Sequence, residues 1–336
     1  MKTVPLFAAA CLGISLALIC AAASARTTTP APLSATRISG LQDHIDALVR
    51  RSRPGSLGVA VLDLHSGIEW RANAAQPFPM MSVFKAPVAA VVLAQVEQGE
   101  LSMDQAVIVH RSELESGAIR DHFRGEQMSF TVRQLLTAAV SKSDNTAVDV
   151  LLTRVGGPEA VTAFLRTHGI DGMRVDLGER GFNPIFEDLP PNQPPPVGET
   201  AAQELTRLRR GYDAYLADPR NRSTPDAAVS FLRKLWEKKL LSPTSTQYLV
   251  DLMYAQTMPS RLRAGLPAGI RLADKCGTSY TLEDRTAAFN DIGILVWPDG
   301  HVVVVAAFLT ASTASQDERQ AIFVDLAREV AITLHP

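Results

Sequence analysis

The last third of the chain most constrains its fold. Ile270–Cys276, Ala288–Trp297 and Val302–Thr310 are apolar runs of strand length, rich in Val, Ile and Leu. Pro298-Asp299-Gly300 links the second to the third as a hairpin. A further run, Ser56–Leu64, stands near the other end, with a turn at His65-Ser66-Gly67 and a short partner at Ile68–Arg71. Between these ends the apolar period becomes helical. The two ends of the chain must therefore meet in one sheet, much of it antiparallel. Two amphipathic helices flank the strands. One carries Ile38, Leu41, Ile45, Leu48 and Val49 and stops at Pro54-Gly55; the other is Gln316–Ile332. The expected fold is α/β of the α+β type, an antiparallel sheet from both chain ends packed with helices, plus a mainly helical subdomain. The expected boundaries are residues 38–77 and 257–336 for the α/β part and 78–256 for the helical part.

Several helices are expected in the middle. They are Ser82–Gln98, with Val88, Val91, Val92 and Val96 as its stripe, then Thr131–Ala139, Asp144–Arg154, Pro158–His168, Pro225–Lys239 and Thr244–Ala255. Leu101–Arg120 looks irregular. Gly198–Leu216 reads as a charged helix with Leu205, Leu208, Tyr212 and Tyr215 on its apolar side, preceded by the proline run Pro190–Pro196.

The chain opens with a targeting segment. Lys2 precedes an apolar run, Leu6–Ala23, and Ala23-Ser24-Ala25 is a small-residue cleavage site, so residues 1–25 are expected as a signal peptide and Arg26 as the mature start. A transmembrane anchor competes with that reading, because the run approaches spanning length. The Thr/Pro-rich tail, residues 26–37, favours cleavage. Cys20 raises lipidation, which the preceding Ile19 opposes.

Composition excludes several functions. With 33 basic and 35 acidic residues, the chain has no electrostatic case for nucleic acid. Cys11 and Cys20 fall in the leader, so Cys276 alone remains and no intrachain disulfide is available. The seven histidines lack metal-ligand spacing, and no Gly-x-Gly-x-x-Gly follows a strand.

Three polar clusters stand out against the apolar background. In Ser82-Val83-Phe84-Lys85, a serine and a lysine three apart share a helical face, about 5–6 Å between Cβ atoms. Such a lysine takes the serine proton only if burial or neighbouring cations lower its pKa. The plain alternative is an N-cap serine and a solvated lysine. In Ser143-Asp144-Asn145, Ser143 has a plain role as the cap of the next helix, which leaves Asn145 unexplained. The third cluster is Lys275-Cys276-Gly277-Thr278. By themselves, Glu179 and Asn183 are ordinary loop residues.

Taken in order, these clusters resemble the class A serine β-lactamases, from about Ile38 to the C-terminus. Ser82-Val83-Phe84-Lys85 is similar to the family's Ser-x-x-Lys, Ser143-Asp144-Asn145 to its Ser-Asp-Asn, and Lys275-Cys276-Gly277 to its Lys-Thr/Ser-Gly strand. Arg174-Val175-Asp176, Glu179 and Asn183 have the spacing of its omega loop. The resemblance implies hydrolysis of a β-lactam amide through a serine acyl-enzyme. Ser82 is then the nucleophile and Lys85 its proton acceptor or relay. Glu179 activates a water that Asn183 also holds, and Ser143 protonates the leaving nitrogen. It further implies that Asn145 holds the substrate amide and braces Lys85, while Lys275, Arg261 and Thr278 hold the substrate carboxylate. The Ser82 and Thr278 N–H groups form the oxyanion hole. A solvated surface charge is the plain reading of Arg261. No metal or organic cofactor is implied. The implied partners are a β-lactam and the catalytic water, with no stable membrane anchor, in a periplasmic monomer of a Gram-negative host.

The chain departs from the family in four places. Cys276 replaces the usual Thr or Ser. Gly117 falls near a position where many members place an aromatic wall, for which Phe123 or His122 would stand in. The positions of a common omega-loop ion pair hold Leu177 and Asn221, and residues 184–221 form an insertion. The rival readings are a D-alanyl-D-alanine carboxypeptidase and a penicillin-binding sensor, which acylate without needing Glu179.

Overall fold

The computed structural model describes residues 1–3, 34–191, 193–258 and 261–335; all of the expected signal segment after its third residue lies outside them. Helix α1 (Ala35–Arg51) leads into β1 (Ser56–Asp63) and β2 (Glu69–Ala72). The other end of the chain supplies β7 (Arg271–Thr278), β8 (Thr281–Leu282), β9 (Arg285–Val296), β10 (Val302–Ser312) and α11 (Gln316–Leu334). These strands form one antiparallel sheet in the order β2-β1-β10-β9-β7, with β8 also on β9. The two chain ends thus join at the β1–β10 pair, with Val59 opposite Ala307 and Val61 opposite Val305.

Both faces of the sheet are buried, which is why its strands are almost continuously apolar. Val303, Val305, Ala307 and Leu309 face a core shared with Leu41 and Ile45 of α1 and Phe323 and Leu326 of α11. Their alternates Val302, Val304, Ala306 and Phe308 face the main core on the helical side. There the sheet meets α9 (Pro225–Trp236).

The helical body contains α2 (Lys85–Glu97), α3 (Ala118–His122), α4 (Val132–Ser141), α5 (Asn145–Arg154), α6 (Pro158–Thr167), α7 (Glu179–Glu187), α8 (Ala201–Ala217) and α10 (Pro243–Tyr254). Helix α2 is buried from Lys85 through Leu93, so it is apolar all round rather than striped. Two further antiparallel pairs are β3 (Phe78–Pro79) with β6 (Arg222–Ser223), and β4 (Ala106–His110) with β5 (Gln127–Thr131).

Three local expectations are corrected. The Leu101–Arg120 stretch is not irregular throughout. Residues Ala106–His110 alternate between exposed and buried, a period-2 signal too short to stand out beside exposed Ile108. Ser82 does not cap a helix; it lies in a 3-10 turn, Met81–Phe84, ahead of α2. Ser143 is not the cap of α5 either. Asp144 is, its side chain accepting from the Ala147 N–H at 2.8 Å. That frees the Ser143 hydroxyl.

Candidate active site

The site is assembled where the N-terminus of α2, the α4–α5 turn, the start of α7 and strand β7 meet. Two of its residues have left-handed backbones. Met81, just before Ser82, has φ 45°, and Ser143 has φ 56°. Non-glycine residues take this conformation at a cost of order 1–3 kcal/mol, sustained only where the surroundings fix it. Asn290 fixes the first, donating from Nδ2 to Pro79 O at 2.7 Å and Met80 O at 3.1 Å.

Lys85 is fully buried and carries four contacts. Its Nζ donates to Ser143 O at 2.7 Å, Ser143 Oγ at 3.5 Å and Asn145 Oδ1, and pairs with Glu179 Oε1 at 3.1 Å. The Ser82 hydroxyl donates to the same Glu179 oxygen at 3.5 Å. A single carboxylate oxygen therefore faces both the serine and the lysine. Lys275 approaches from β7, donating to Ser143 Oγ at 3.0 Å and Cys276 O at 3.0 Å. Ser143 thus stands between two ammonium groups.

Burial pushes the Lys275 ammonium down to about 8, with Lys85 adding repulsion and the Cys276, Asp274 and Asp291 charges opposing the shift. In the free enzyme Lys275 is then cationic below about pH 8 and neutral above it. We expect kcat/KM for an anionic substrate to fall on an alkaline limb near 8, since kcat/KM reports the free enzyme. Bound carboxylate stabilises the cation, so the limb in kcat should lie higher. Lys275→Arg, which stays charged, should remove the limb whatever its effect on rate. A pH–rate series on both proteins checks this.

Gly277 lets β7 reach the nucleophile turn. A Cβ there would lie 2.4 Å from Met80 O and 3.2 Å from Ser82 N. Arg261 is buried at 4 % exposure, not a solvated surface charge. Its guanidinium lies 3.7 Å over the Phe289 ring, and Nη2 donates to Thr278 Oγ1. Thr278 itself is exposed at the end of β7. Asn183, one turn along α7 from Glu179, is exposed and donates to Glu115 Oε2 at 3.3 Å. Ser82, Lys85, Ser143, Asn145, Glu179 and Lys275 are thus linked through direct contacts, Arg261 and Thr278 form a second pair, and Asn183 is joined to neither group by a direct bond.

The sequence pattern of the "Beta-lactamase enzyme family" matches residues 40–334. The chain belongs to the β-lactamase enzyme family. It is 33% identical over 292 residues to "Extended-spectrum beta-lactamase PER-1" of Pseudomonas aeruginosa, covering 86% of this chain and 85% of that one. It is 34% identical over 327 residues to "Beta-lactamase L2" of Stenotrophomonas maltophilia, covering 96% and 95%. Among solved structures, the class A β-lactamase of the last common ancestor of Gram-negative bacteria superposes with TM-score 0.71. That match has 35% identity and covers 88% of this chain and all of that one. A β-lactamase from Chitinophaga pinensis DSM 2588 gives 0.74 at 28% identity, with the same 88% coverage. The fold and the serine β-lactamase reading drawn from the sequence agree with these relatives, and the protein is a class A serine β-lactamase.

The residues in which this β-lactamase departs from its family are accommodated locally. Asn221 replaces the omega-loop ion pair with a hydrogen-bonded clasp. Its Oδ1 accepts from Asp176 N at 2.6 Å and Leu177 N at 2.9 Å, and its Nδ2 donates to Leu177 O at 2.9 Å. No buried charge is left unpaired by the loss of the acid. Gly117 does not stand where an aromatic side chain would fit. Its φ is 137°, and a Cβ would lie 2.4 Å from Asp144 Oδ2. Phe123 cannot substitute as a wall, being buried at 5 % exposure, whereas His122 is exposed.

Cys276 alternates away from Lys275 and is buried, 3.9 Å from the Gln256 amide nitrogen that donates to it. Cys276→Ser should therefore retain most activity and lose about 1–3 kcal/mol of stability through a poorly partnered hydroxyl. Kinetics and thermal melting check this. An activity loss beyond about 100-fold, some 3 kcal/mol of barrier, with unchanged melting would place the side chain in the site's chemistry.

Asp149 was missed by the sequence reading. It accepts from the Glu179 N–H at 2.7 Å and the Arg180 N–H at 2.9 Å, capping α7 from α5. Burial raises its carboxyl to about 6 against those two amides. The signal was available, since Asp149 lies four residues after Asn145 on the same helix face. Glu115 was missed as well. It accepts from Arg180 Nε at 3.0 Å and from Asn183, and the Thr146 hydroxyl holds its backbone.

Proposed function

We propose the following division of labour for hydrolysis of the β-lactam amide. The Ser82 oxygen attacks the ring carbonyl while its proton passes to the Lys85–Glu179 pair. The Ser82 and Thr278 N–H groups take the developing oxyanion. The carbon–nitrogen bond breaks as Ser143 gives its proton to the ring nitrogen; the Lys85–Glu179 pair passes the proton taken from Ser82 on to Ser143, whose hydroxyl Lys275 holds in line. A water then attacks the ester and loses its proton to Glu179. The ester bond breaks, and the Ser82 oxygen recovers a proton from the same pair. Arg261, Lys275 and Thr278 receive the substrate carboxylate, and Asn145 receives its side-chain amide. Asn183 steadies the water from one turn along α7.

The observation that carries this reading is the shared carboxylate oxygen, 3.1 Å from Lys85 Nζ and 3.5 Å from Ser82 Oγ. It gives one residue access to both the nucleophile and the water that follows it. Purified enzyme mixed with a chromogenic cephalosporin should turn over many equivalents. A single-equivalent burst that then stops would mean that the roles belong to a peptidase or a sensor.

We further propose that residues 1–25 are an export signal, that the tail expected at 26–37 ends earlier, at the Ser34 cap of α1, and that the chain from α1 onward forms one catalytic domain acting as a periplasmic monomer in a Gram-negative host. Lys2, the apolar run after it and Ala23-Ser24-Ala25 support export. Among the described residues, no helix is long and apolar enough to cross a membrane. N-terminal sequencing of the protein released from the periplasm should begin at Arg26. Recovery of full-length protein in the membrane fraction overturns that proposal.

A further inference from the structure

Helix α8, within the insertion at residues 184–221, takes no part in the chemistry above, yet one of its side chains reaches the nucleophile turn. Tyr215, on the buried face of α8, stacks on Phe186 with centroids 3.9 Å apart and meets Phe182 edge-on at 6.0 Å. Both phenylalanines belong to α7. They lie three and seven residues after Glu179, on the same helical face. On its other side, the Tyr215 hydroxyl is 2.9 Å from the sulfur of Met81, the left-handed residue immediately before Ser82. Phe182 also packs against Phe84, two residues after the nucleophile, at 6.2 Å. Arg222 supports Tyr215 from behind. Its guanidinium sits 5.5 Å over the ring, and Nη2 donates to Tyr215 O at 2.6 Å.

We infer that Tyr215 is a positioning residue for hydrolysis of the acyl-enzyme: wedged between Met81 and the Phe182–Phe186 face of α7, it sets the separation of Ser82 from Glu179. This rests on the reading of Glu179 as the base for that step. The Asn221 clasp and the Asp149 cap hold only the leading end of α7, at residues 176–180. The far end is held by Arg207, which donates to Glu187 O, by Tyr212 and Tyr280 packed on Phe186, and by Tyr215, which among these is the side chain that also touches Met81 at the nucleophile turn. A general base must lie within hydrogen-bond reach of its water, and a misplacement of about 1 Å costs about 100-fold. Of the other acylation groups, Lys85, Ser143, Asn145 and Lys275 are held by hydrogen bonds to one another.

The test compares Tyr215→Leu, Tyr215→Phe, Glu179→Gln and, as a control in the core beyond the sheet, Ile45→Ala. Steady-state kinetics with a chromogenic cephalosporin and intact-protein mass spectrometry are read together. For Tyr215→Leu, kcat and KM should both fall at least about 10-fold, with kcat/KM within about 3-fold of wild type and a covalent adduct accumulating. Tyr215→Phe keeps the wedge and should lie within about 3-fold of wild type in kcat, because a methionine sulfur is a weak acceptor whose loss costs little. Ile45→Ala should lower the melting temperature without moving kcat. If Tyr215→Leu does not fold, Phe186→Leu, which removes the stacked partner, is read by the same criteria. Wild-type kcat in the leucine variant, beside an adduct in Glu179→Gln, overturns this inference alone. Wild-type turnover in Glu179→Gln overturns the reading beneath it. A fall in kcat/KM as large as that in kcat gives Tyr215 a general structural role and also overturns the inference.

Discussion

Glu179→Gln should still be acylated at Ser82 but should release product at least about 100-fold more slowly than wild type, the range expected for a lost general base. Glutamine keeps the size and the acceptor oxygen that Lys85 Nζ meets at 3.1 Å in wild type, but it cannot take a proton at neutral pH. Lys85 also holds Ser143 O at 2.7 Å and Asn145 Oδ1, so it stays oriented without the carboxylate. Acylation therefore survives while hydrolysis of the ester fails. Rapid mixing should show a one-equivalent burst followed by a slow steady state. Turnover at the wild-type rate would place the base elsewhere. The insertion carboxylates are poor substitutes. Asp188 pairs with Arg210 at 2.7 Å, and Glu199 with Arg207 at 2.9 Å, both on α8.

Gly277→Ala should lower kcat/KM by about 100-fold or more and also destabilise the protein. The new methyl would sit 2.4 Å from Met80 O and 3.2 Å from both Met81 Cβ and Ser82 N. Two of these three atoms are backbone and cannot swing aside. Either β7 or the turn carrying Ser82 has to move, and the Asn290 bonds to Pro79 O and Met80 O resist movement of the turn. The spacing of the Ser82 and Thr278 N–H groups then changes. One displaced oxyanion donor costs about 100- to 1000-fold, and overpacking of this kind adds about 1–3 kcal/mol of instability. Steady-state kinetics alongside a thermal melt read both effects. Wild-type kcat/KM in a folded alanine variant would remove the β7–turn approach from the account of oxyanion binding.

The legible parts of the fold were those with a single strong period. The strand runs Val302–Thr310 and Ala288–Trp297 are buried on both faces, so nothing interrupts their apolar character. Their meeting with Ser56–Leu64 followed from chain-end placement and hairpin links. The β4–β5 pair was lost because one of its faces is exposed and its strands are five residues each. In the site, short motifs carried Ser82, Lys85, Ser143 and Lys275, because neighbours in sequence remain neighbours there. Asp149, Glu115 and Tyr215 act across the fold. Tyr215 lies 134 residues from Met81, and no local pattern encodes that approach. Even the Asn221 clasp was visible only as a missing charge pair. The amide geometry that replaces it needs Asp176 and Leu177 brought to it from 45 and 44 residues away.

The central claim is that one serine forms an ester which one carboxylate then clears. The most direct measurement is peptide-mapped mass spectrometry of wild type and Glu179→Gln, both quenched seconds after mixing with a cephalosporin. A single adduct is predicted on the peptide containing Ser82, abundant and persistent in the variant, scarce and quickly lost in wild type. An adduct on any other residue, or equal clearance in the two proteins, would contradict it.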